Sequence, residues 1–70
     1  MNTHKKEELA LDEAKVRARG EAQEAAREAV SEARQNGLTD ESDLDAVFEE
    51  TSEEVYAERL ETIYADLLQE

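Results

Sequence analysis

Apolar positions recur at helical spacing along the whole chain, but their character changes halfway. In the first half Leu11, Ala14, Ala18, Ala22, Ala25, Ala29 and Ala33 follow one another at steps of three and four. That spacing, about 3.7 residues on average, traces one face of a helix, and Ala26 and Val30 widen it. Between Asp12 and Gln35 only Val16 and Val30 exceed alanine in size among the apolar residues. From Leu38 onward come Leu44, Val47, Phe48, Val55, Tyr56, Leu60, Ile63, Tyr64, Leu67 and Leu68. The chain has no proline and 2 glycines, so helix is favoured nearly throughout.

Two local signals divide this helical pattern. Asn36-Gly37 suits a helix end, because glycine tolerates the left-handed conformation there, Leu38 can fold back as the hydrophobic follower, and Arg34 complements the negative end of the dipole. Thr39 then offers an N-cap, with Asp40, Glu41 and Asp43 in the first turn of a second helical segment. A second interruption falls at Thr51-Ser52, where Thr51 and Glu54 have the spacing of a capping box. The expected fold is therefore all-α and forms a single small domain over residues 1–70. It is either an antiparallel helical hairpin or a three-helix arrangement. The hairpin joins a charge-balanced, alanine-rich helix over 5–35 to an acidic amphipathic segment over 40–68, through a turn at 36–39. In the three-helix version, put slightly ahead, the acidic segment divides into helices over 40–50 and 52–68. Gly20 lies inside the first helix, where a tolerated glycine is the plainer reading and a kink or close helix approach the alternative.

Charge sharpens the division. The 70 residues carry 20 Asp and Glu against 8 Lys and Arg, a net charge of −12. Residues 1–35 hold seven basic and eight acidic side chains, for −1, whereas residues 36–70 hold Arg59 against twelve acids, for −11. Such a surface argues against direct binding of nucleic acid and against adsorption to an anionic membrane. There is no run of 18 apolar residues and no leader pattern, so a soluble, cytoplasmic protein is expected.

Catalytic chemistry has little to stand on. His4 is the one histidine, cysteine is absent, and Ser31, Ser42 and Ser52 have no triad partner in view. No cofactor motif is present. The acid-dense run Asp40–Asp45 fails the calcium-loop pattern, which needs oxygen ligands at alternating positions and a glycine at the sixth. No catalytic, cofactor or metal residues are assigned, and the expectation is a protein without enzymatic activity.

The specific feature is an acidic face. Glu41, Asp45, Glu49 and Glu53 make one row at steps of four, and Glu50, Glu54, Glu58 and Glu61 make a neighbouring one. A step of four residues rises about 6 Å, near the phosphate spacing along a nucleic-acid strand. Like charges at this spacing cost a few tenths of a kcal/mol per pair, which a small domain gains nothing structural by accepting. Salt adaptation would spread acids over the whole chain, and the first half does not comply.

The function expected is a non-enzymatic inhibitor or neutralising partner that offers these eight carboxylates to a basic protein surface. A nucleic-acid-binding protein, nuclease or toxin has such a surface, and the type is that of nucleic-acid mimics, phage antagonists and antitoxins. Tyr56, Leu60, Ile63, Tyr64, Leu67 and Leu68 form the apolar face expected to add short-range affinity or to mediate self-association. The alternative is a structural or adaptor protein, such as a homodimer, whose acidity serves solubility.

Overall fold

The computed structural model describes residues 3–69, of which the side chains of Thr3 and His4, the one candidate base, lie outside the described part. Two helices, α1 (Thr3–Gln35) and α2 (Glu41–Gln69), pack antiparallel along their length into a rod of 55 × 17 × 12 Å. No strand occurs among the described residues. The three-helix arrangement, the version put ahead, does not hold, because α2 runs unbroken through 50–52.

The turn forms by local chemistry. Gly37 has φ of +98°, the left-handed region where a side chain is strained. Its N–H donates to the Arg34 carbonyl and the Leu38 N–H donates to the Ala33 carbonyl, both at 3.0 Å. This is the Schellman pattern, and it satisfies carbonyls that the end of α1 would otherwise leave unpaired. One expectation is off by a residue. Asp40, rather than Thr39, caps α2: its carboxylate accepts the Ser42 N–H at 2.8 Å, and its carbonyl accepts the Leu44 N–H at 3.0 Å. A carboxylate is the stronger acceptor for the positive end of a helix, and Glu41 and Asp43 reinforce it. Asp40→Ala should cost about 1 kcal/mol in urea unfolding, whereas Thr39→Ala should cost little. The reverse ranking would reject this cap.

Between the helices runs a seam that steps by four. On α1 its centre is Ala10, Ala14, Ala18, Ala22 and Ala26, with Ala14, Ala18 and Ala26 at 0% exposure. Leu11, Ala25, Ala29, Val30 and Ala33 flank it, half-buried. On α2 two adjacent rows face it, one through Leu44, Phe48, Ser52, Tyr56, Leu60, Tyr64 and Leu68, the other through Val47, Thr51, Val55, Arg59, Ile63 and Leu67. All of these are buried or half-buried.

Thr51 and Ser52 are thus seam positions, four residues after Val47 and Phe48 and four before Val55 and Tyr56. Their small side chains fit where the alanine row of α1 comes close, and Ser52 shares a groove with Ala22. The helix continues through them because no tertiary contact requires a break, and the Thr51–Glu54 spacing is never used as a capping box. A step of four exceeds 3.6, so the stripe slips about 40° per step around a straight helix. An apolar face counted at 3.6 therefore looks interrupted here.

The alanines let the helices approach, and the larger α2 side chains close around them. Ala14, Ala18 and Ile63 form the buried cluster, and Tyr56, Leu60, Tyr64 and Leu67 pack against it. No large side chain is fully enclosed. Gly20 plays no part in this approach: it is exposed on the outer side of α1, and an added Cβ would meet nothing within 4 Å. Gly20→Ala should therefore stabilise the protein by about 0.5–1 kcal/mol, seen as a higher melting temperature. A lower one would mean that α1 bends at this residue.

Candidate functional site

With two rows of α2 committed to the seam, the other two must face solvent, and there the acids lie. Glu41, Asp45, Glu49, Glu53 and Glu61 occupy one outer row, interrupted by Ala57. Glu50, Glu54 and Glu58 occupy the other, which continues to Asp66. All eight carboxylates are exposed. From Glu41 to Glu61 the face is about 30 Å long. Its backbone is one continuous helix, so the spacing of the charges is held by main-chain hydrogen bonds instead of by a loop.

The ion pairs leave this face alone. Among the described residues they are Arg17–Glu13 and Arg59–Glu21, each at 3.1 Å. Arg59 is the one cation of the second half, and it lies in a seam row. Its Nε donates across the seam to Glu21 of α1, away from the acidic rows. Both partners are more than two-fifths exposed, so the pair adds at most about 1 kcal/mol to stability. Its larger effect is to leave the carboxylates of α2 without a cation from their own helix.

The apolar residues expected to meet a partner are largely used within the chain. Ile63 is buried, and Tyr56, Leu60, Tyr64 and Leu67 lean on the alanine row with part of their surface outward. Leu68 is also half-buried. Tyr56, Leu60, Tyr64 and Leu68 share the row that borders the Glu41–Glu61 row, and Ile63 and Leu67 lie on the seam row beyond it.

One feature of this edge escapes a count of charges by halves. Arg19, Ala22 and Gln23 of α1 line a shallow groove of about 420 Å³ with Ser52, Glu53 and Tyr56 of α2. Next to it, Arg27, Val30, Ser31, Arg34 and Gln35 line another of about 430 Å³ with Phe48. The helix pair thus carries a furrow with a basic wall, an aromatic floor and an acidic wall. The visible signal was the step of four from Lys15 to Arg19, taken up again at Arg27, within a helix whose total charge is close to zero.

The grooves are open and shallow, with none of the enclosure that a small substrate needs. Among the described residues no group of three or more acids or histidines converges on a point where a metal could sit, and no helix is long and apolar enough to cross a membrane. No protein-family model, curated protein or solved structure matches the chain.

Proposed function

We propose that this protein is a non-enzymatic binding partner that neutralises a basic protein surface by laying the outer face of α2 against it. The observation that carries the reading is the arrangement of Glu41, Asp45, Glu49, Glu50, Glu53, Glu54, Glu58 and Glu61. All are exposed on adjacent rows of one unbroken helix, and none is engaged by the ion pairs of the described residues. Charges so placed raise the rate of encounter with a cationic partner. Their spacing along the helix, about 6 Å per step of four, fits a surface that binds a phosphate backbone. Nucleases, toxins and other nucleic-acid-binding proteins have such surfaces.

The test is capture of basic proteins from host lysate on the immobilised chain, followed by identification of what is retained. Retention should fall steeply by about 0.5 M salt, where screening shortens to a few ångströms. It should also be competed by duplex nucleic acid and be lost in E49K/E50K/E53K/E54K. Retention indifferent to salt and to these substitutions would reject the reading.

A further inference from the structure

The furrow between the helices shares one acidic row with the outer face of α2 and adds aromatic and basic surface to it. Its floor holds all three aromatic residues of the chain, Phe48, Tyr56 and Tyr64, at steps of eight on one row of α2, each half-buried. Its α1 wall carries Arg19, Arg27 and Arg34, exposed and outside the ion pairs of the described residues. Its α2 wall carries the row from Glu41 to Glu53. We infer that this furrow binds a second copy of the chain, two hairpins closing face to face about a two-fold axis parallel to the helices.

Charge selects both the occupant and the axis. Two identical furrows can face each other in two symmetric ways. An axis across the helices sets α1 over α1, arginine wall against arginine wall. An axis along them sets α1 of each copy over α2 of the other, and every level along the rod is preserved.

Levels can be read within one hairpin. Arg19 shares its groove with Glu53, Arg27 shares its groove with Phe48, which precedes Glu49, and Arg34 lines a third groove with Glu41 and Leu44. Across the dimer the same levels bring Arg19 to Glu53, Arg27 to Glu49, and Arg34 to Glu41 and Asp45. Each contact occurs twice. The result is a four-helix bundle with antiparallel neighbours, and it covers aromatic surface that two helices cannot enclose.

The area is adequate. The face that holds the furrow, about 35 Å long and as wide as the 17 Å rod, offers at most ~600 Å² per copy, or ~1,200 Å² in total, at the lower end of stable interfaces. The overall charge of −12 on each copy opposes approach at low ionic strength, and screening beyond about 8 Å at physiological salt removes most of that opposition. The inference goes beyond the functional reading. In the dimer Glu50, Glu54 and Glu58 still face outward, while a basic partner competes with the second copy for the row from Glu41 to Glu53.

The full chain in sedimentation equilibrium at about 0.15 M salt, up to about 100 μM, should reach twice its 7.9 kDa mass. R19E/R27E should keep its helicity by circular dichroism and weaken association about tenfold or more. R19E/R27E/E49R/E53R should restore it. Spin labels at Asn36→Cys on the otherwise unaltered chain should lie close together, nearer the 17 Å width of the rod than its 55 Å length, because this axis puts both turns at one end. A monomer throughout, association indifferent to R19E/R27E, failure of the fourfold swap to restore it, or a label separation near the rod length would each overturn the dimer. R19E/R27E leaves every carboxylate in place, so its loss of association leaves the acidic-face reading intact.

Discussion

Ile63→Ala should lower the unfolding free energy by about 2–4 kcal/mol, the largest stability loss expected from one substitution in this chain. Ile63 is the residue of α2 in the buried cluster, seated against Ala14 and Ala18. Each of those alanines contributes a single methyl group, so the α1 side of the cluster has no side chain long enough to fill the space that the isoleucine leaves. A domain of this size has on the order of 4–10 kcal/mol in all, so the variant should be substantially unfolded in moderate urea. Val16→Ala is the control. Val16 is apolar like Ile63 but 70% exposed, and it should change stability by less than about 0.5 kcal/mol. If the two variants unfolded at the same urea concentration, the seam would be misplaced.

The second large effect concerns binding. E49K/E50K/E53K/E54K should weaken the complex with a basic partner by about a hundredfold or more at low salt, mainly through slower association. It should also make the isolated protein more stable. The changes at Glu49 and Glu53 break the like-charged row that starts at Glu41 and Asp45, and those at Glu50 and Glu54 break the row that continues to Glu58. E49K creates an opposite-charge pair with Asp45, and E54K creates one with Glu58, each contributing a few tenths of a kcal/mol. Binding lost with stability gained identifies carboxylates kept for a partner at the expense of the helix. Binding unchanged with stability gained identifies a solvated face and nothing more.

Separating these outcomes from self-association needs one more variant. E50K/E54K alters the row that points away from the furrow, so it should reduce partner binding while leaving the sedimentation of the free protein unchanged.

Local chemistry was the legible part of this chain. The turn at 36–39 depends on a glycine that must adopt a left-handed conformation and on acids that favour a helix start, and both requirements are visible in a handful of adjacent residues. The exposure of the acidic rows was equally legible, because carboxylates without partners stay in water. What misled was periodicity. Thr51 and Ser52 look like a polar gap when apolar residues are counted at 3.6, and become seam residues once the step is four. The choice between Asp40 and Thr39 as cap is a matter of one residue, decided by which side chain reaches the Ser42 amide. The arginine wall was hidden for another reason. A helix with a net charge near zero can still sort its charges by row, and a sum over residues does not show this.

The row of buried alanines has a thermal consequence. The heat capacity of unfolding follows the apolar surface newly exposed to water, and a seam of methyl groups keeps little of it hidden. An average chain of this length would show about 0.9 kcal/mol/K, and this hairpin should fall well below that. Its stability curve should accordingly be flat, with a broad melt of low enthalpy and little loss on cooling. Temperature should then act weakly on the hairpin, and if the proposed contacts of its acidic rows form, ionic strength should be the condition to which they respond most.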